Sequence, residues 1–338
     1  VRPVPVHFMN TPASAWVAEP VQALLIRDLL TRVRTWAPAQ TISYRDLREL
    51  TYAEFLARVD RLAGVLTGLG VKPGDRVGVM DWDSHRYLEL FFAVPMLGAV
   101  LHTVNVRLSP DQIQYTVDHA ADSLVLVHPD FLPLAESIAP RLPRVRSWIT
   151  LSDDGKPPAS PLPIAGDYES LLEGPALPLV YPDLDENTVA TLFYTTGTTG
   201  DPKGVYFTHR QIVLHTLVAG LTFAIHDDPF ALRADDVYLP FTPMFHVHAW
   251  GFPYVATMLG MRQVYPGRFD PQRWISLLVR HRVTFSHCVP AILQILLHHP
   301  DSAAVDWTRL KLAIGGAPLP RGLAQEAMDR GIRILGAY

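Results

Sequence analysis

Short apolar runs alternate with stretches of helical periodicity along most of the chain, and that alternation limits the possible folds more than any other feature of the sequence. Between 52 and 69, apolar residues recur at helical spacing: Phe55, Leu56, Val59, Leu62, Ala63, Leu66 and Leu69. Thr51, with Glu54 three positions on, reads as a capping box, and Gly70 as the stop. A short strand is expected at 75–80, a helix at 84–96 with Pro95 near its end, and a strand at 100–104. Ser109 is placed to cap a helix at 109–120, with Pro110 at its first position. A strand at 124–127, a helix at 131–138 and a strand at 145–151 follow. Residues 152–185 are rich in Pro, Gly, Asp and Ser and read as a long surface connection, a subdomain boundary that divides 1–185 from 186–338. The alternation resumes with helices at 210–224, 271–281, 291–299 and 319–330 and strands at 263–265, 283–289, 312–314 and 332–335. The expected fold class is α/β, with layered parallel-rich sheets covered by helices on both faces.

Composition narrows the function classes. The length, 338 residues, suits one large or two ordinary domains, and 49% of residues are apolar, ample for a core. The net charge is −4 with no basic block, so nothing points to nucleic acid. The one cysteine, Cys288, excludes an internal disulfide framework and fits a reducing compartment. Within V-T-F-S-H-C-V it reads as a small buried hydrophobe rather than a nucleophile. Residues 1–20 carry prolines and no sustained apolar core, so no secretory signal is expected. The uncharged run 90–106 is interrupted by Pro95, Gly98, His102 and Asn105 and is too short to span a bilayer. These features lead to the expectation of a soluble, cytoplasmic protein whose initiating methionine is absent from this chain. Histidines number 14, yet there is no H-E-x-x-H and no Cys/His cluster, and His298 and His299 sit at a helix end before Pro300. Neither G-x-S-x-G nor G-x-G-x-x-G occurs, so hydrolase and Rossmann readings lack support.

Residues 194–205 read Y-T-T-G-T-T-G-D-P-K-G-V, with apolar segments at 189–193 and 205–207 on either side. Strand, loop, strand is the expected local structure. Glycines let a backbone approach anionic oxygens and turn its N–H groups toward them. Hydroxyls add donors and lysine a compact positive charge. The loop is not a Walker motif, because Pro202 precedes Lys203 and Gly204 follows it. A polar Thr/Gly turn is the bland alternative. The order of residues instead resembles the phosphate-binding signature of the adenylate-forming superfamily, which includes acyl-CoA synthetases, firefly-type luciferases and peptide-synthetase adenylation domains.

Three further segments extend the resemblance over most of the chain. Residues 240–251, P-F-T-P-M-F-H-V-H-A-W-G, are apolar and aromatic. Their alternation also fits a strand with one buried face, and that reading is preferred for His248. In acyl-CoA synthetases a similar segment lines the carboxylate pocket, which implies His246 beside the carboxylate and Trp250 at the acyl tunnel. Amino-acid-activating relatives carry Asp where His246 stands, which argues against an amino acid substrate. Residues 313–320, A-I-G-G-A-P-L-P, resemble the adenine-side loop, with Gly315, Gly316, Ala317 and Pro318 flanking the base. Tyr338 matches the first residue of a Y-G-x-T-E motif whose ring stacks on adenine. The magnesium-binding Glu, the ribose-binding Asp and the small C-terminal domain of that superfamily are not among these residues. The resemblance therefore implies the large N-terminal domain of such an enzyme, unable by itself to complete the reaction.

The implied reaction is ATP-dependent activation of a fatty acid as acyl-AMP and its transfer to CoA, with Mg2+ required. Thr195 would meet magnesium or phosphate, and Thr196, Gly197, Thr198, Thr199, Gly200 and Lys203 would hold the β- and γ-phosphates. Thr195, Lys203 and His246 are the implied catalytic set. P-M-F-H-V-H-A-W looks closest to medium- and long-chain fatty acyl-CoA synthetases, including methylmercaptopropionate-type ligases. An aryl-CoA ligase or other carboxylate adenylase is the alternative within the class. A non-catalytic nucleotide- or acyl-binding protein is the alternative outside it. The expected partners are a carboxylic acid, ATP and CoA, without nucleic acid or a membrane-spanning segment, and a homodimer is left open.

Overall fold

The computed structural model describes residues 22–175, 178–195, 200–225 and 230–336. Helix α1 (Thr31–Thr35) precedes the strands β1 (Thr41–Tyr44) and β2 (Arg48–Thr51) and the long helix α2 (Tyr52–Gly68). Then come β3 (Arg76–Met80), α3 (His85–Met96), β4 (Val100–Thr103), α4 (Pro110–Ala120), β5 (Leu124–Val127), α5 (Leu132–Ile138), β6 (Ser147–Thr150), β7 (Ile164–Asp167) and α6 (Tyr168–Glu173). The middle of the chain forms β8 (Val189–Thr195), β9 (Lys203–Thr208), α7 (His209–Ala224), β10 (Val237–Tyr238), a turn α8 (Val247–Trp250) and α9 (Phe252–Leu259). The remainder is β11 (Arg262–Tyr265), α10 (Pro271–His281), β12 (Phe285–Cys288), α11 (Pro290–Leu297), β13 (Lys311–Ile314), α12 (Arg321–Asp329) and β14 (Arg333–Gly336).

Helix boundaries follow the capping chemistry. The Thr51 hydroxyl accepts from the Glu54 N–H at 3.2 Å while the Glu54 carboxylate accepts from the Thr51 N–H at 2.7 Å. Ser109 and Gln112 form the same reciprocal box at the start of α4, with Pro110 at its first position. Each arrangement satisfies two donors that a helix start leaves open.

The strands form two seven-stranded sheets, ordered β14-β13-β12-β10-β11-β1-β2 and β7-β6-β5-β3-β4-β8-β9. All pairings are parallel except β1 with β2 and β8 with β9. This is the parallel-rich α/β architecture that the alternation implied. The sheets interleave in sequence, because β1 and β2 join the sheet built from residues after 236, while β8 and β9 close the sheet that β3 begins. A division at 185/186 thus falls within the course of the second sheet. Residues 152–185, read from sequence as a surface connection, contain β7 and α6, whose Tyr168 and Leu172 are buried. These elements are too short for periodicity to outweigh their Pro- and Gly-rich flanks. The β1–β2 hairpin went unread because its two four-residue strands are too short to show a period.

In each sheet a central strand has neighbours added on both sides, β10 in the first and β3 in the second. Crevices at the carboxyl ends of such strands are where open parallel sheets bind ligands. Here the two carboxyl edges meet. The Asp83 carbonyl, just past β3, accepts from the Gly267 N–H beyond β11 at 2.8 Å. A second junction forms at Asp153, beyond β6, which receives the Arg86 guanidinium at 2.7 Å and the Tyr44 hydroxyl at 3.1 Å. Behind these contacts, Arg58 on α2 bridges Glu89 on α3 at 2.7 Å and Glu169 on α6 at 3.0 Å. Arg48 and His85 also bond Glu169. Burial opposes ionisation of Glu169, but the His85 hydrogen bond and the Arg58 and Arg48 charges hold its carboxyl well below the usual range.

The turn after β10 departs from the sequence expectation of an alternating strand. Val247, His248, Ala249 and Trp250 all have positive φ, between 48° and 55°, so α8 is one turn of left-handed helix. Each L-residue so wound costs about 1–2 kcal/mol. What holds it is local packing. The His248 ring is buried among Phe91, Phe193 and Phe207, at centroid distances of 5.8, 5.3 and 6.1 Å. The His215 Nε2–H, from α7, donates to the Trp250 carbonyl at 3.0 Å. Gly251 continues the left-handed course at φ 75°, and a Cβ there would lie 2.6 Å from the His215 ring.

Two outcomes follow for stability. Glu169 has a depressed folded pKa, so its contribution is complete above the unfolded value of about 4.3 and is lost as pH falls toward the folded one. Glu169→Gln should cost about 3 kcal/mol at neutral pH by leaving a buried guanidinium underpaired. Urea unfolding across acid pH should show a flatter pH dependence in this variant than in the parent. In the left-handed turn the usual helical order of alanine and glycine inverts. Val247→Gly should be more stable than Val247→Ala by about 1 kcal/mol, and equilibrium denaturation of the pair measures the sign.

Candidate functional site

The carboxyl edges of the two sheets carry the segments that sequence singled out. Beyond β8 runs the Thr/Gly loop, beyond β10 the P-M-F-H-V-H-A-W segment, and beyond β13 the glycine pair. None of the three is adjacent to another in sequence. Within each sheet the parallel strands put their carboxyl ends on one side, while β2 and β9 run the other way.

The phosphate-type loop is the connection of the β8–β9 hairpin. Thr195 and Lys203 stand opposite each other in its register, and both are exposed. The Thr195 hydroxyl points across the hairpin to the Lys203 carbonyl at 3.5 Å. Gly200 has φ 100°, with open space where a Cβ would stand. Thr196, Gly197, Thr198 and Thr199, at the centre of the motif, lie outside the described residues, as does Tyr338.

The P-M-F-H segment is fastened to the second sheet at two points. The Asp83 carboxyl Oδ1 accepts from the Met244 N–H at 2.7 Å. The Thr103 hydroxyl, at the end of β4, donates to the Phe245 carbonyl at 3.3 Å. His246 follows, with its side chain exposed at the crevice. Surrounding protein and then the Arg107 charge lower its pKa, so the ring is neutral near pH 7. Arg107, in the turn after β4, lies with its guanidinium carbon 5.8 Å from the Phe245 ring centroid. Asp83 is 5% exposed, and burial pushes its carboxyl up to about 8, with Arg107 pulling the other way.

Trp250 is half-buried against a cluster of packed aromatic rings. Its ring lies 5.2 Å from that of His287 on β12, which stacks on Phe252 at 4.8 Å. On its other side, a Cβ added at Gly316 would come within 3.7 Å of the Trp250 ring and 3.2 Å of Val289. Gly316 has φ 72°, and Gly316, Ala317 and Pro318 are exposed. The structure therefore brings Trp250 against the Gly316 loop. His248, buried as expected, is not in a strand: it sits under the β8–β9 hairpin, against Phe193 of β8 and Phe207 of β9. Burial pushes its imidazole down to about 3, so it packs as a neutral ring. Cys288 is buried, and that burial raises its thiol, which agrees with an inert packing role.

Sequence reasoning missed Asp83, Thr103, Arg107 and His215. Each acts through a contact more than a hundred positions away or across a helix, and none stands in a motif of its own. The available signal was position: Asp83 and Arg107 each follow a predicted strand at its carboxyl end. Among the described residues no group of three His, Cys, Asp or Glu is arranged to hold a metal. Among them, also, no helix is long and apolar enough to cross a membrane.

The long-chain-fatty-acid–CoA ligase of Thermus thermophilus is 41% identical over 295 residues, which cover 87% of this chain and 52% of that protein. The 3-methylmercaptopropionyl-CoA ligase of Ruegeria pomeroyi is 36% identical over 91% of this chain and 58% of its own length. The chain thus spans about half the length of the curated relatives it matches. Among solved structures, a Mycobacterium tuberculosis fatty acyl CoA synthetase superposes with a TM-score of 0.78 at 26% identity, covering 93% of this chain and 59% of that one. An anthranilate CoA ligase in complex with anthranoyl-AMP shares the fold, with a TM-score of 0.83 at 23% identity over 92% of this chain and 59% of its own. The model of the AMP-binding enzyme family matches residues 31–338, and the chain belongs to that family.

Proposed function

We propose that this chain is the ATP- and acyl-binding part of an AMP-forming fatty acyl-CoA synthetase. The observation that carries the reading is the packing of the P-M-F-H-V-H-A-W segment against both neighbours: His248 lies against Phe193 and Phe207 of the β8–β9 hairpin, and Trp250 lies beside Gly316. In this reading residues 186–338 supply the phosphate loop with the acyl and adenine pockets, and residues 1–185 their support.

The residues fit the ligands. Exposed Lys203 and Thr195 and the open backbone at Gly200 suit a polyphosphate. Gly316, with φ 72° and Val289 3.2 Å from where a Cβ would stand, leaves its backbone open for a flat base. Gly316, Ala317, Pro318 and Tyr338 would enclose adenine. Magnesium would arrive on the phosphates and take the Thr195 hydroxyl as its protein ligand, neutralising charge on the triphosphate when bound. Thr196, Gly197, Thr198 and Thr199 would complete the phosphate cradle.

The chemistry joins two anions. A carboxylate oxygen attacks the α-phosphorus of ATP, and the bond to the bridging oxygen breaks, releasing pyrophosphate. Lys203 and the loop's donors would screen the approach and the charge gathering on phosphorus. Neutral His246 would orient the carboxylate by hydrogen bonding without adding charge. Trp250 would border the acyl chain. In the second step the CoA sulfur attacks the acyl carbon, AMP departs with the bonding pair, and the thiol proton passes to solvent. We place the reaction in the cytoplasm, where ATP and CoA are drawn from a reducing pool, and light scattering would test for a homodimer.

The deciding experiment is acid-dependent pyrophosphate release by the full-length protein. It should run with medium- and long-chain fatty acids, 3-methylmercaptopropionate and aryl acids, followed by thioester formation with CoA. Activity with alkyl acids supports the reading, aryl acids alone would move it to an aryl-CoA ligase, and nucleotide binding without turnover would make the protein a binding module. Lys203→Ala should lose about 1.5–3 kcal/mol of transition-state stabilisation, divided between ATP KM and kcat. Unchanged ATP kinetics in a folded variant would take Lys203 out of the site. Trp250→Ala should change the ranking of acids more than the KM for ATP, since it alters the volume of the acyl pocket. Equal impairment with every acid, together with a raised ATP KM, would contradict that role.

A further inference from the structure

We propose that Arg107 is a further substrate-contacting cation, placed to hold an oxyanion between the phosphate hairpin and the P-M-F-H segment. The inference rests on the adenylate-forming reading above and adds to it a residue that no motif identified.

Arg107 occupies a connection that follows β4 and borders both the β8–β9 hairpin and the P-M-F-H segment. The strand before it, β4, pairs with β8 in the register Thr103 with Phe193, two positions before Thr195. The same Thr103 donates to the Phe245 carbonyl, next to His246. The turn carrying Arg107 is pinned: Asn105 Oδ1 accepts the Arg107 N–H at 3.1 Å and the Asn105 carbonyl accepts the Leu108 N–H at 3.2 Å. The guanidinium is exposed and rests against the Phe245 ring, an apolar surface that directs its donors outward.

Arg107 differs from the arginines of the neighbouring ion-pair networks. Arg58 and Arg86 are each tied to carboxylates, Glu89 with Glu169 and Asp153 respectively. Arg107 makes no hydrogen bond or ion pair through its guanidinium with a described residue. The carboxyl that feels its charge, Asp83, is buried, already bonded to the Met244 N–H, and held toward its protonated form. The charge is therefore not neutralised within the protein. A planar guanidinium is matched to a carboxylate or a phosphate in two parallel hydrogen bonds. Both oxyanions would meet at this junction, the acid's carboxylate beside His246 and the nucleotide's phosphate beside Thr195.

The test compares Arg107→Gln and Arg107→Lys in the full-length protein, by pyrophosphate release with separate acid and ATP titrations. Because Arg107 is exposed, both variants should keep the parental melting temperature. Arg107→Gln should lose at least tenfold in kcat/KM, and Arg107→Lys should recover part of it by keeping the charge without the planar fork. A raised KM for the acid alone assigns the carboxylate, and a raised KM for ATP alone assigns the phosphate. Kinetic constants within twofold of the parent in Arg107→Gln would overturn the proposal and leave the ligase reading intact. Failure of the parent to release pyrophosphate with any acid would instead sink that reading. An NMR titration of His246 tests placement without turnover: removing the neighbouring positive charge should raise its pKa, and an unmoved pKa would refute the assigned position of Arg107.

Discussion

One buried carboxyl group joins the two sheets at the place where the site forms. Asp83 gives its carbonyl to Gly267, beyond β11, and its side chain to Met244, beyond β10. A parallel sheet delivers loops to its carboxyl edge but does not fix how two such edges face each other. Here the end of the central strand of one sheet is hydrogen-bonded to two connections of the other. The position of Phe245 and His246, and through them of Trp250 and the Gly316 loop, follows from that junction. A hydrogen bond to a buried backbone donor is worth most where water cannot replace it, and the Asp83 side chain is almost fully enclosed.

The distribution of charge follows a related logic. Behind the crevice, Arg58 is matched to Glu89 and Glu169. At the crevice the cations Lys203 and Arg107 face outward, while the nearby carboxyl of Asp83 is held toward its neutral form by burial. Two unit charges of like sign 4 Å apart at an effective dielectric of 20 repel by about 4 kcal/mol. A site that brings a carboxylate to a triphosphate gains from unspent positive charge and loses from any fixed negative charge. Neutral His246 and neutral His248 fit the same arrangement: one offers a hydrogen bond, the other only a ring.

The sequence was most legible where a local rule decides structure. The capping boxes at Thr51 and Ser109, the hairpin around the Thr/Gly loop and the alternation that implies parallel sheets all depend on residues a few positions apart. The resemblance then supplied the family and the candidate ligand roles. The interleaving of the sheets was not legible, because the partner of β1 is β11, more than two hundred residues away. The short elements β7 and α6 were hidden by prolines and glycines around them. The P-M-F-H-V-H-A-W segment shows the limit most clearly. Its alternation of apolar and polar residues is that of a half-buried strand, yet the cage of Phe91, Phe193 and Phe207 around His248 winds it the other way. Tertiary packing overrode a local preference, and no periodicity could have reported it.

That winding has a consequence for how the segment can vary. In a right-handed helix the backbone suits the L configuration, so, proline aside, a replacement is judged by propensity, size and polarity and handedness does not enter. From Val247 to Gly251 the backbone suits the mirror image instead. D-alanine placed at position 249 by chemical ligation would meet its own relaxed conformation, whereas L-proline, with φ fixed near −65°, has no allowed entry. Substitutions that keep the turn are thus sorted by chirality before volume, with glycine and then asparagine or aspartate ahead of larger side chains. Four L-residues persist there against that order. The sequence of this turn is therefore held by what its side chains touch, and its backbone alone would choose differently.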